Sequence, residues 1–171
     1  MVNNLFKEKN NNYQEMADPL IGIHAAVGEI GVLAFLWVFV ELINPSKERI
    51  KRAKIIALIG VIFLFASWFV GGYYYVDVYG SEVKPLIKEG PAPWAHSVIT
   101  ETKEHVFLFL PFLSLLTLGM IHKYEKDLIK NKDAKFSLLL LSGLVVLIGL
   151  SMAGMGYLIS TGFRVALEAA V

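Results

Sequence analysis

Residues 19–43 read "PLIGIHAAVGEIGVLAFLWVFVELI". His24, Glu29 and Glu41 are the only ionisable side chains in the stretch. A helix rises about 1.5 Å per residue, and about 20 apolar residues are enough to cross a bilayer core of about 30 Å. The stretch is longer than that and almost free of charge, so it predicts a membrane-crossing helix. Asp18-Pro19 opens it with an N-cap residue followed by proline at the first helical position. Asn44-Pro45 closes it.

Working outward, three more apolar stretches follow at Ile55–Tyr75, Val106–Ile121 and Phe136–Phe163. The third reaches spanning length when its helix is extended back toward Trp94 through "HSVITETKEH" (96–105). Inside lipid every backbone polar group must be paired within its own segment. The expected fold is therefore an all-α, integral membrane four-helix bundle. It divides into a polar tail over 1–18 and a single transmembrane domain over 19–171. The start, "MVNNLFKEKNNNYQEMAD", does not read as a cleavable signal. Pro111 lies inside the third helix, where it is expected to kink the chain and free a carbonyl.

Composition narrows the function. The chain has 171 residues, of which 56% are hydrophobic, a level too apolar for an ordinary soluble domain. Its formal net charge of +1 leaves no basic footprint for nucleic acid. There are no cysteines, which removes iron–sulfur clusters, covalently attached haem and thiolate zinc.

Basic residues predict the orientation. The loop after helix 1 holds Lys47, Arg49, Lys51, Arg52 and Lys54, and the loop after helix 3 holds Lys123, Lys126, Lys130, Lys132 and Lys135. The opposite side holds Lys7, Lys9, Lys84, Lys88 and Arg164. Ten against five places both termini outside a plasma (cytoplasmic) membrane, together with "GGYYYVDVYG" (71–80). The tyrosines there, with Trp94, read as an interfacial aromatic belt. Small residues at helical spacing (Gly60, Ser67 and Gly71; Ser142, Gly149, Ala153, Gly156 and Ser160) suit close helix approach or a flat cofactor.

Ionisable groups within apolar spans point to function. Glu41 is expected to reach toward the basic loop, and His122 to serve the end of helix 3. His24 stands about one turn inside its span, with Gly28 and Gly31 following on the same face. His105 has Glu101 one turn above it, and His96 points to the opposite side of the same helix. Counting from the inner ends, His24 lies about 28 Å up, His105 about 25 Å and His96 about 39 Å. Depth therefore pairs His24 with His105. A repeated His-x4-Glu, His24 to Glu29 and His96 to Glu101, instead pairs His24 with His96.

Two imidazoles facing each other in a bundle core suit iron. Without cysteine the cofactor expected is noncovalent haem b, one copy, with a second if His96 also binds. Arg164 and Lys103 are the candidates to pair with its carboxylates. The pattern "ADPLIGIHAAVGEIG" (17–31) followed by "PAPWAH" (91–96) resembles small four-helix membrane cytochromes b. It also resembles an uncharacterised bacterial four-helix membrane family in which histidine opens helices 1 and 3. That resemblance selects His24 and His96. Where the family has a histidine before the helix 1 proline, this chain has Asp18, so a two-haem site does not carry over.

The function expected is a haem-b electron-transfer subunit of a membrane redox complex, passing electrons between a quinone pool and an outer-face redox partner, rather than a stand-alone enzyme. Two alternatives stand beside it. One is a cofactor-free anchor or assembly subunit. The other is an enzyme whose metal is held by His24, Glu29, Glu101, Glu104 and His105.

Overall fold

The computed structural model describes residues 19–170. The tail expected over 1–18, with its Asp18 cap, lies outside the described residues, as does Val171. Helix α1 spans Pro19–Ile43 and α2 spans Lys47–Tyr74. A π-helical segment, Tyr75–Val83, continues α2 directly into α3, Lys84–Glu89. A second π-helical segment, Ala95–Thr100, opens the third span and leads into α4, Glu101–Phe107, and α5, Phe109–Tyr124. Helix α6 spans Lys132–Ala169.

Four continuous helical rods result, Pro19–Ile43, Lys47–Glu89, Ala95–Tyr124 and Lys132–Ala169, each long and apolar enough to cross a membrane. No strand occurs among the described residues. Helix α1 packs on α2 and α6, and α5 packs on α2 and α6, so the rods form a ring in chain order. Short connections make neighbours antiparallel.

The rods outrun the apolar stretches that reveal them. The basic segment after α1 is not a loop: Ser46 caps α2 by accepting from the Arg49 amide, and the charges ride on its first turns. The tyrosine-rich segment is likewise helical and folds inward, with Tyr79 buried. A helix pairs its interior backbone groups within its own segment, so a charged or aromatic stretch need not interrupt a rod. The third rod passes from α4 to α5 at Leu108, whose backbone stays right-handed helical, one turn before Pro111, whose missing amide leaves the Phe107 carbonyl without its helical donor.

The apolar core fills the half of the bundle nearer the basic connections, with Phe35, Val38, Leu42, Leu64, Leu138 and Val145 fully or almost fully buried. Contacts there need glycine: a Cβ on Gly60 would lie 2.8 Å from the Phe35 ring. Leu33, Ile62, Phe109 and Leu147 point outward and are more than half exposed. That apolar exterior is the surface lipid would cover.

Glu41 is fastened at the basic end. It accepts from Arg49 Nε at 2.8 Å, Arg52 Nε at 2.9 Å and Trp37 Nε1 at 3.0 Å. The pairing ties the last turn of α1 to the first turns of α2.

Candidate functional site

At the other end the rods enclose a cavity of about 940 Å³. Ile21 and His24 of α1 and Arg164 and Leu167 of α6 all border it, so the first and last helices both reach this end. Its walls include the aromatic residues Trp68, Tyr75, Phe107 and Phe163 and the glycines Gly71 and Gly156.

His24 is held by α2. Its Nδ1 lies 2.9 Å from the Ser67 carbonyl oxygen, and the Ser67 hydroxyl donates to the His24 carbonyl at 2.9 Å. A carbonyl only accepts, so Nδ1 carries the proton and Nε2 keeps its lone pair. Nε2 makes no hydrogen bond among the described residues. Gly71 makes room for the ring, because a Cβ there would come within 2.6 Å of it. Phe107 meets it edge to face, with ring centroids 6.0 Å apart.

Lys103 and Arg164 border the same cavity. Lys103 lies along α6, its Nζ 3.3 Å from where a Cβ on Gly156 would stand. Neither cation has an ion-pair or hydrogen-bond partner among the described residues. Glu104 also borders the cavity; it interacts with the Tyr75 hydroxyl, while its buried Oε1 has no hydrogen-bond partner. The result is an apolar chamber with one bare imidazole nitrogen, two uncompensated cations and one carboxylate. Such a set accepts an amphiphile carrying anionic groups and an atom that takes a nitrogen lone pair.

The remaining candidates fall elsewhere. His105 is exposed, its Nδ1 donates to the Glu101 carbonyl one turn back at 2.6 Å, and it does not border the cavity. The residues α4 turns toward His24 are Lys103 and Phe107, one turn apart; a residue two positions from Lys103 points away from that face. Equal depth therefore does not bring His105 to His24. His96 is buried, with Nδ1 3.0 Å from the Tyr79 hydroxyl and Nε2 3.6 Å from Glu101 Oε1. Gly28 and Gly31 do not border the cavity either. A Cβ on Gly28 would meet Ser67 Oγ at 2.9 Å, and one on Gly31 would meet Leu64 at 2.8 Å, so both serve the α1–α2 contact. Glu29 is exposed. No group of three His, Asp or Glu side chains able to hold a metal ion occurs among the described residues, so the carboxylate–histidine centre weighed above is not assembled.

Tyr75 and Tyr79 were legible only as belt residues. Their π-helical segment, facing the one that carries His96 and Thr100, turns them inward, and sequence periodicity carries no mark of π geometry. No protein-family model, no curated protein and no solved structure matches this chain.

Proposed function

We propose that this chain is a membrane haem-b protein, in which His24 binds the iron through Nε2 and Lys103 and Arg164 pair with the haem carboxylates. The observation that carries the reading is an imidazole nitrogen and two cations, all without partners among the described residues, bordering one apolar cavity. A quinone or a neutral lipid in that space leaves the cations uncompensated, and an anionic lipid leaves Nε2 unused. Haem uses all three. The volume, about 940 Å³, falls within the range of ligand sites, about 300–1,000 Å³.

Haem when bound supplies one-electron redox chemistry. The chain's own residues bind, orient and shield it. The Ser67 carbonyl fixes the Nδ1 proton, which sets the tautomer, holds the ring and raises the basicity of Nε2. Trp68, Phe107 and Phe163 keep water from the apolar body. Lys103 and Arg164 neutralise the carboxylates, as charge-assisted pairs do in a poorly solvated site.

One imidazole borders the cavity, so the proposal takes one haem and a single protein histidine on its iron. The role proposed is electron transfer as a subunit of a redox complex in the cytoplasmic membrane, between a quinone pool and a protein docking at the cavity end. The test is haem titration of the full-length protein in lipid nanodiscs. A Soret band saturating at one equivalent is expected. No band after reconstitution would remove the proposal and leave the cofactor-free anchor.

A further inference from the structure

Beside the cavity lies a hydrogen-bonded chain that haem binding does not use. Thr100 and Tyr79 both border the cavity. The Thr100 hydroxyl donates to the Ala95 carbonyl at 2.9 Å, a contact across five residues that the π-helical segment creates. Tyr79 Oη lies 2.9 Å from Thr100 Oγ1 and 3.0 Å from His96 Nδ1. His96 is 3% exposed, yet its Nε2 stands 3.6 Å from Oε1 of Glu101, whose side chain is 46% exposed. Four groups thus run from the cavity wall, through a buried imidazole, to a carboxylate in contact with solvent.

Counting protons gives the chain two polarities. A hydroxyl holds one proton. With the Thr100 proton given to Ala95, Tyr79 must donate to Thr100, and His96 Nδ1 must donate to Tyr79. Nε2 then faces a carboxylate oxygen, and the two attract only with a proton between them. This form holds four protons. When the Thr100 hydroxyl turns to Tyr79, every bond reverses: Tyr79 donates to Nδ1, and Nε2–H points to an ionised Glu101. That form holds three.

From this we infer that Thr100, Tyr79, His96 and Glu101 form a proton path between the cavity and the surface at that end of the bundle. A proton arriving at Thr100 from the cavity displaces the Thr100 proton to Tyr79, the Tyr79 proton to Nδ1, and the Nε2 proton to Glu101. The three-proton form becomes the four-proton form. Glu101 releases its proton to water, and the hydroxyls and the His96 tautomer reset. One proton enters, one leaves, and no electron moves. Lys84 and Lys88 from α3, and Glu101 and Glu104 from its own rod, are the charged groups around His96. The path stands on this geometry whatever the cavity binds; under the haem reading it carries the charge-balancing proton out of the cavity when an electron leaves.

The experiment follows the histidine rings by ¹⁵N NMR in full-length, ¹⁵N-histidine-labelled protein in nanodiscs from pH 4.5 to 8.5. Signals of His96 are those lost in His96→Asn. In the wild type a single proton uptake is expected that changes Nδ1 and Nε2 together. Glu101→Gln should abolish it. Tyr79→Phe, which keeps the ring stacked on Tyr75 at 5.3 Å, should slow exchange of the Nδ1 proton with water by tenfold or more. Helical circular dichroism verifies that each variant is folded. A wild-type His96 fixed in one tautomer throughout, or one indifferent to both substitutions, overturns the path. Because the readout needs no pigment, it separates failure of the path from failure of the haem reading.

Discussion

His24 and Gly71 occupy facing positions so close that only hydrogen fits between them. A Cβ at residue 71 would stand 2.6 Å from both Cε1 and Nδ1 of the imidazole. Gly71→Ala must therefore push the ring off the Ser67 carbonyl. Overpacking of this kind costs about 1–3 kcal/mol. A lower melting temperature in detergent is expected, together with weaker haem binding. An unchanged melting temperature and unchanged haem affinity would show that the ring is not held where it stands.

Lys103 and Arg164 border the cavity, and neither has an ion-pair partner among the described residues. Desolvating an unpaired ammonium opposes folding. Lys103→Met is accordingly expected to raise the melting temperature of the haem-free protein while weakening haem binding about tenfold, the equivalent of about 1.4 kcal/mol. Arg164→Met, at an exposed position, should weaken binding with little change in stability. Thermal scans with and without haem read both effects. Destabilisation of the haem-free protein by Lys103→Met would contradict the account.

The other histidines make a contrast. His105 faces away from the cavity and His96 is engaged by Tyr79. His105→Ala and His96→Asn are each expected to retain a haem band of wild-type intensity when titrated. Loss of the band in His105→Ala would restore the pairing that depth alone suggests.

At the basic end Glu41 accepts from two arginines and a tryptophan. Glu41→Gln keeps the shape and removes the charge, leaving Arg49 and Arg52 without their carboxylate. Hydrogen bonds to charged groups contribute about 1.5–3 kcal/mol each, and the partial exposure of both arginines discounts this. A loss of about 2 kcal/mol is expected from thermal or denaturant unfolding, with haem binding unaffected because the cavity lies at the other end.

The four rods were legible from hydropathy because lipid demands long apolar helices, and each stretch marks one. Their lengths were not. Lys47–Lys54 and Tyr75–Glu89 are helical beyond the apolar window, where average hydropathy has no voice. Lys103 and Arg164 were legible as cations near the cavity end, and both border the cavity that His24 borders. Depth fixes a level on a helix but not a direction around it, so it could not select the imidazole partner. The π-helical Ala95–Thr100 resets that direction, so Lys103 and Phe107 face His24 while His105 faces out. Gly28 and Gly31 lie on the His24 face as read, but α2 fills the space beside them with Ser67 and Leu64.

The most direct measurement is the reduced-minus-oxidised visible spectrum of haem-reconstituted wild-type protein beside His24→Ala. The account expects a b-type difference spectrum at one haem per chain, absent in His24→Ala. An identical spectrum in the two proteins, or none in either, contradicts it.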